Sequence, residues 1–378
     1  GILSNNWSID TGLSYTFARN DIGLDQIDIK DTENSAHLKL KLRKRFSNRF
    51  KISFGAEQFI TDFTEDVQGD EFSESYGFKN PITAAFAETD LVFSKDLALK
   101  VGLRAEYSDI FSSFNVSPRA ALAYKISESS QFSLAYGDFY QNPNSSILKF
   151  EQNLRPQQSR HYILNYKYAQ KGRTLIAELY RKDYDDLVKF DTEFPGLDTE
   201  FSSNGFAYAQ GLDLFWRDNT SIKNLDYWLS YSYLDTERDH LNFPEAVQPN
   251  FATTHTLSVV GKYWVDGIKS QLGIAYNFSS GRPYTDPNLG GFLTERTRDF
   301  NSISFNWAYL ISQQKILYFS VNNAFGFKNV FGYQYANNPS MDGTFARRAL
   351  RPALDQFFVI GFFWTISEKG TDNQLNNL

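Results

Sequence analysis

Cysteine is absent from the 378-residue sequence. That excludes a disulfide scaffold, a thiolate metal site and a cysteine nucleophile. It fits a bacterial envelope protein without by itself separating one from a cytosolic protein. Histidine occurs only as His37, His161, His240 and His255, scattered without zinc-ligand spacing. There is no Gly-x-Ser-x-Gly elbow and no phosphate-cradling glycine loop. No long apolar run is present either. The longest, Phe357–Trp364, is far short of the ~18–20 residues a spanning helix needs. Residues 1–6 have no basic region and no apolar core, so they do not read as a signal peptide. The chain is expected to be either a mature form or one with upstream residues missing. The net charge of -6 argues against nucleic acid as a partner, because phosphate binding needs a basic face.

Aromatic residues are abundant, with 35 Phe, 22 Tyr and 6 Trp. The dominant pattern has period two. Trp7, Ile9, Leu13, Tyr15 and Phe17 alternate with Ser8, Asp10, Gly12, Ser14 and Thr16. Leu38, Leu40 and Leu42 alternate with Lys39, Lys41 and Arg43, and Leu99, Val101, Leu103 and Ala105 with Lys100, Gly102, Arg104 and Glu106. Such alternation marks strands with one apolar and one polar face. It recurs to the end of the chain and predicts about sixteen strands. The last, at 356–366, is apolar on both faces and cannot be oriented by pattern.

The links between these strands alternate strictly. Short links fall near residues 47–48, 94–96, 127–130, 170–172, 265–268 and 312–314, with a slightly longer one at 218–224. Long polar links fall at 20–33, 61–80, 142–156, 185–204, 236–250, 280–299 and 326–352, with 109–115 the shortest of this set. A membrane barrel has this rhythm because one rim carries tight periplasmic turns and the other extracellular loops. A soluble sandwich or propeller has no reason for it. The mean hydropathy of -0.43 is no objection, because only alternate side chains of a barrel meet lipid. Trp7, Phe17, Tyr107, Tyr124, Tyr168, Trp216, Tyr263, Trp264 and Trp364 fall near strand ends, where barrels carry interfacial aromatic girdles. The expected class is therefore all-β, a transmembrane antiparallel β-barrel in the bacterial outer membrane. Residues 1–366 would form the wall and 367–378 a polar periplasmic tail.

Lys39, Lys41, Arg43, Glu57, Arg104, Glu106, Asn165, Lys167, Asn277, Asn306 and Asn322 are expected to face the lumen as ordinary wall chemistry. The acidic stretch Asp62, Glu65, Asp66, Asp70, Glu71 and Glu74 matches no calcium loop and reads as a solvated loop. Two loops are the candidate ligand surface. One carries Arg282, Tyr284, Arg296 and Arg298, with Gly290-Gly291 to allow movement. The other carries Tyr333, Tyr335, Arg347, Arg348 and Arg351. Guanidinium groups take carboxylates and phosphates in a bidentate way, and tyrosine adds stacking area. Asp185-Asp186 and Asp239-His240 lie near extracellular strand ends, where an omptin-type protease would pair two acids with an Asp-His couple. The enzyme reading is the minor one. No catalytic residue, metal or cofactor is expected.

Several segments carry a family resemblance. Gly102-Leu-Arg-Ala-Glu-Tyr107, Ser117-Pro-Arg119 and Leu134-Ala-Tyr-Gly137 resemble the barrel of TonB-dependent outer-membrane receptors. So do Glu178-Leu-Tyr-Arg-Lys-Asp-Tyr-Asp-Asp-Leu187 and Ala209-Gln-Gly-Leu-Asp-Leu214. Tyr231-Ser-Tyr-Leu-Asp-Thr236, Pro249-Asn-Phe-Ala252, Ser280-Gly-Arg-Pro-Tyr284 and Phe325-Gly-Phe-Lys-Asn-Val-Phe-Gly-Tyr333 look like the Bacteroidota branch. Their order and spacing run across nearly the whole chain. The resemblance implies a twenty-two-stranded barrel with a plug domain and a TonB-contacting segment ahead of it. No plug is visible here, so the chain looks like the last sixteen or so strands. It implies TonB-dependent uptake of a nutrient ligand such as a metal chelate, glycan or peptide. Expected partners are outer-membrane lipid and lipopolysaccharide, the plug and TonB, and a surface lipoprotein. Two alternatives stay open: a passive porin-like channel closed by this chain alone, and a structural barrel subunit of a surface lipoprotein.

Overall fold

The computed structural model describes residues 1–3 and 6–366. The tail expected at 367–378 lies outside the described residues. Twenty strands follow in chain order. The first seven are β1 (Trp7–Leu24), β2 (Ile27–Arg45), β3 (Phe50–Gly69), β4 (Ser73–Val92), β5 (Leu97–Ser108), β6 (Ser113–Lys125) and β7 (Ser130–Gln141). A one-turn helix α1 (Ser145–Leu148) precedes β8 (Gln157–Gln170), β9 (Arg173–Lys189), β10 (Ser202–Asp218), β11 (Leu225–Asp239), β12 (His255–Val265) and β13 (Ser270–Ser279). The short β14 (Pro283–Tyr284) and β15 (Glu295–Arg296) come next, then β16 (Phe300–Ser312) and β17 (Lys315–Asn322). The chain continues through β18 (Gly332–Tyr335) and β19 (Arg347–Leu350) to β20 (Phe357–Trp364). Sixteen of these form one antiparallel sheet in sequence order, from β1 through β13 to β16, β17 and β20. β14–β15 and β18–β19 are separate hairpins within loops.

The sheet is amphiphilic in the sense a membrane wall requires. Leu91, Leu99, Leu122, Leu134, Leu164, Leu179 and Leu212 occupy one cross-strand row over seven strands. Together with Leu13 at 82% and Ile360 at 78% exposure, such residues form an outward apolar face with no second layer of the described residues packed over it. Lipid is the solvent that suits this face. The opposite face is polar. Register sets Lys39, Glu57, Ala84 and Glu106 side by side on it. Glu57, only 7% exposed, binds Lys39 Nζ at 2.6 Å and Arg104 at 2.5 Å, and Arg104 Nε reaches Glu106 at 3.0 Å. Pairing with β17 also orients the last strand. Phe358, Ile360, Phe362 and Trp364 join Val321, Phe319, Leu317 and Lys315 on the outer face.

Two expected long links are not loops. β1 and β2 pair continuously to Leu24 opposite Ile27, leaving only residues 25–26 as the turn, with Asp25 at φ 55°. β3 and β4 leave only 70–72. Spanning strands need about 9–11 residues, so half of each 18–20-residue strand stands beyond the hydrocarbon. The physical reason is that the outer face there, and the inner face wherever residues 142–156 do not cover it, meets water, so polar residues do not interrupt the ladder. Period-two pairs such as Ile22 with Ile29 persist within it. The acidic stretch from Asp62 to Glu74 therefore lies mostly on this hairpin rather than on a loop.

The 142–156 link instead folds inward. Ile147 and Leu148 of α1 and Leu154 are buried. Leu148 packs with Phe63 and Phe78 of β3 and β4, on the same face as Glu57 and Ala84, and Ile147 and Leu154 pack with Val188 of β9. Lys149 pairs with Glu65, and Phe150 packs edge-on against Tyr76 at 5.1 Å. This segment is a wedge joining β3–β4 to β9 across the inner face of the mouth.

Candidate functional site

The two arginine- and tyrosine-bearing loops meet at the outer end of the last strands. The first is shaped by a close approach at Gly281, where a Cβ would come within 1.9 Å of the Thr297 carbonyl oxygen. Thr297 N–H donates to the Arg282 carbonyl at 2.9 Å, and Gly281 N–H to Asp299 Oδ1 at 2.9 Å. This pinches the loop into the β14–β15 hairpin and buries Asp286 beyond it. The second loop forms β18–β19, with Tyr335 opposite Arg347. Asn288 clamps the two together. Its Oδ1 accepts from Phe345 N–H at 2.7 Å and its Nδ2 donates to the Phe345 carbonyl at 3.1 Å.

A compact cluster results. The Tyr284 and Tyr333 rings lie 4.7 Å apart. The Arg347 guanidinium sits 4.5 Å over Tyr333, donates to the Tyr284 hydroxyl at 3.5 Å, and lies 3.7 Å from Asp286. Burial alone would raise the Asp286 carboxyl. The Asn288 backbone N–H and the Arg347 charge outweigh it, so Asp286 sits below the usual carboxylate range. Tyr335 is pushed up to about 12, first by burial and then by the neighbouring Asp286 carboxylate. The cluster thus holds one buried anion, one fixed cation and two phenol rings tilted 45° to each other. Such a group can accept an aromatic or hydrogen-bonding ligand on its exposed side.

Of the residues expected from the sequence, Tyr284, Tyr333, Tyr335 and Arg347 converge. Arg296 does not join them; it donates to Gln248 Oε1 at 2.6 Å and to the Gly281 carbonyl at 3.4 Å. Arg348 stays on its own hairpin, 3.5 Å from Gln334. Arg282 and Arg298 are exposed outside the cluster. Asp286 and Asn288 were not singled out in the sequence. A lone Asp or Asn in a polar loop carries no signal until both hairpins exist.

The other expected arrangement resolves into ion pairs. Asp185 faces Arg160 at 3.7 Å, Asp186 faces Arg155 at 3.0 Å, and Asp239 pairs with Lys189. His240 lies edge-on to Phe243 at 4.6 Å.

Residues 2–324 match the model of the family described as TonB dependent receptor-like, beta-barrel. The chain belongs to this family. This TonB-dependent receptor barrel accordingly lies in the outer membrane, which its strands cross. No curated protein matches its sequence. Among solved structures, the ferripyoverdine receptor of Pseudomonas aeruginosa superposes with a TM-score of 0.71 at 12% identity, covering 96% of this chain and 54% of that one. The ferric yersiniabactin uptake receptor FyuA of Yersinia pestis gives 0.68 at 11%, covering 95% and 59%. The ferric-catecholate import receptor Fiu of E. coli K12 gives 0.67 at 12%, covering 96% and 62%. At such identities the likeness is one of fold. The receptor barrel described here spans 54% to 62% of the length of these three proteins.

Proposed function

We propose that this chain forms the greater part of the barrel of a receptor that captures a nutrient ligand outside the cell and admits it through the lumen by TonB-dependent uptake. The observation that carries this is the matched family's sixteen-stranded sheet, greasy outside and charged inside. The three solved relatives are a ferripyoverdine receptor, a ferric yersiniabactin uptake receptor and a ferric-catecholate import receptor, which makes a metal chelate the first ligand to try, ahead of a glycan or peptide. Partners are a plug segment within the lumen, TonB, and outer-membrane lipid with its lipopolysaccharide; a surface lipoprotein is a further one. The receptor performs no catalysis.

The sheet's two edges support a larger barrel. β1 offers an 18-residue edge and β20 an 8-residue one, and among the described residues they do not pair with each other. An unpaired backbone group in lipid costs several kcal/mol, so both edges need partners. The mismatch in length favours additional strands over closure of a small porin by β1 and β20. The ligand surface is the cluster of Tyr284, Tyr333, Tyr335 and Arg347, with the exposed Arg282, Arg298 and Arg348 around it and Arg296 bracing the loop.

The test is uptake of labelled iron chelates, oligosaccharides and peptides in cells with and without the gene, each with and without a protonophore. Gene-dependent, protonophore-sensitive uptake of one class is expected. Gene-dependent diffusion that survives the protonophore would instead establish a passive channel.

A further inference from the structure

Four segments at the mouth are each too small to order alone. The helix α1 of the wedge has four residues and no side-chain cap, whereas an isolated helix needs roughly 12–15 residues to be even marginally stable in water. β14 and β15 have two residues each, and β18 and β19 have four. A lone two-stranded hairpin is marginal at best. Residues 240–247, just beyond β11, hold only two isolated bridges, Lys189 with Leu241 and Arg238 with Val247. Each segment must therefore borrow its order from a neighbour.

The contacts run from one segment to the next. Leu241 packs against the Ile147, Leu154 and Val188 cluster of the wedge. Its N–H donates to the Val188 carbonyl at 2.6 Å, and its carbonyl accepts from Phe190 N–H at 3.0 Å. These contacts hold Leu241 at φ 52°, a left-handed geometry that such a residue keeps only where its surroundings fix it. Two residues on, the Phe243 ring meets Phe292 edge-on at 4.9 Å. Phe292 lies in the turn between β14 and β15, which Leu293 N–H closes on Thr285 Oγ1 at 2.9 Å. Asn288 of the same turn carries the clamp on Phe345 and so reaches the β18–β19 loop. Among the described residues, the polar and ring contacts that the wedge makes outside itself go to Glu33, Glu65, Tyr76, Asp186 and Ser203, and none goes to the two loops. Residues 240–247 stand between them.

We propose that the wedge, residues 240–247 and the loops 280–299 and 326–352 open and close as one unit, with Phe243 and Phe292 as its joint. Segments that share their order open together, because releasing one removes the surface that orders the next. A ligand held by the Tyr284–Arg347 cluster then keeps the wedge seated across the inner face of the mouth, and its departure loosens both. The unit itself stands on the contacts above; only the part played by the ligand rests on the receptor reading.

The test is hydrogen–deuterium exchange, read by mass spectrometry on the full-length protein in non-ionic detergent without ligand. Phe292→Ala removes the joint and should speed exchange about tenfold in 326–352 and also in the wedge, the size expected for one aromatic contact. Leu148→Ala frees the wedge from Phe63 and Phe78 without touching the joint. It should speed exchange in 326–352 by a similar factor, because coupling is mutual. Phe194→Ala, whose ring is 83% exposed, is the control and should change neither segment. Unchanged wedge exchange in Phe292→Ala, or unchanged loop exchange in Leu148→Ala, overturns the unit. So does faster exchange that extends to the ladder of β12 and β13, since the wall itself would then have loosened. Should Phe292→Ala not assemble, Phe292→Leu removes the ring and carries the same test. No ligand is used, so failure here is distinct from gene-independent uptake, which would end the receptor reading.

Discussion

The outer ends of β1–β4 and the loops that follow β13 and β17 are both polar, yet they are ordered by opposite means. Residues 20–33 and 61–80 carry eleven acids against two lysines and still run as regular hairpins. Residues 280–299 and 326–352 carry seven basic residues against four acids and pair only in short stretches of two and four residues. The hairpins hold because the ladder satisfies the backbone whatever the side chains are, and strand alternation splits the like charges between two faces. The loops hold because Asp286, Asn288, Phe345 and Arg347 reach across from one to the other. Order from backbone pairing is insensitive to side chains; order from one cluster depends on each member.

Substitutions should expose that contrast. The largest effect is expected where backbone and charge act together. Glu57→Ala removes the anion shared by Lys39 and Arg104 and should cost about 2–3 kcal/mol, at the low end for a broken buried pair because the lysine is partly solvated. Heat-modifiability of the folded band on gels reads it, and an unchanged unfolding temperature would remove charge balance from the account of that wall. Gly281→Val comes next. Its side chain has no room beside the Thr297 carbonyl, so the loop pair should open at a cost of about 2 kcal/mol. Limited proteolysis should then cut within 280–299 and 326–352 but not within 20–33.

Alkali should act on the same loops with a smaller effect. The Tyr335 hydroxyl ionises near 12 in the folded loops against an ordinary value of 10. Its contribution is therefore complete below about pH 10 and is lost as pH rises toward 12. The Tyr284–Tyr333 contact, followed by near-ultraviolet circular dichroism, should weaken over that window while the hairpin signal of β1–β4 stays level. Tyr335→Phe should abolish the pH dependence. The smallest structural effect is expected from Arg282→Ala, whose side chain lies exposed outside the cluster, within about 0.5 kcal/mol of neutral. Ligand capture should fall while assembly is normal; undiminished capture would take Arg282 out of the ligand surface.

Much of the wall was legible because a two-residue period and a rhythm of short and long links are written directly in the chain. The strand at Leu97–Ser108 and the turn after Lys125 are examples. The extensions of β1–β4 were not, since Asp21, Asp28, Asp31 and Glu33 read as loop composition when their water-exposed ladder is unseen. The face of β20 needed β17 beside it, because Phe357, Phe358, Phe362 and Phe363 look alike from either side. In the loops after β13 and β17, arginine and tyrosine marked segments that the structure brings together. The partners that choose Arg347 over Arg282 come from positions about sixty residues away, and no local pattern reports such a distance.

The wedge at 142–156 bears on how the protein is built. Its contacts tie Glu65 to Lys149 and Ile147 to Val188, so it can seat only after strands on both sides have reached their places in the wall. Contacts of such long sequence separation form late and slowly. Seating of this segment therefore marks the completion of the seven strands from β3 to β9, and a newly inserted molecule caught before that moment should still be open to protease at Ile147 and Leu148.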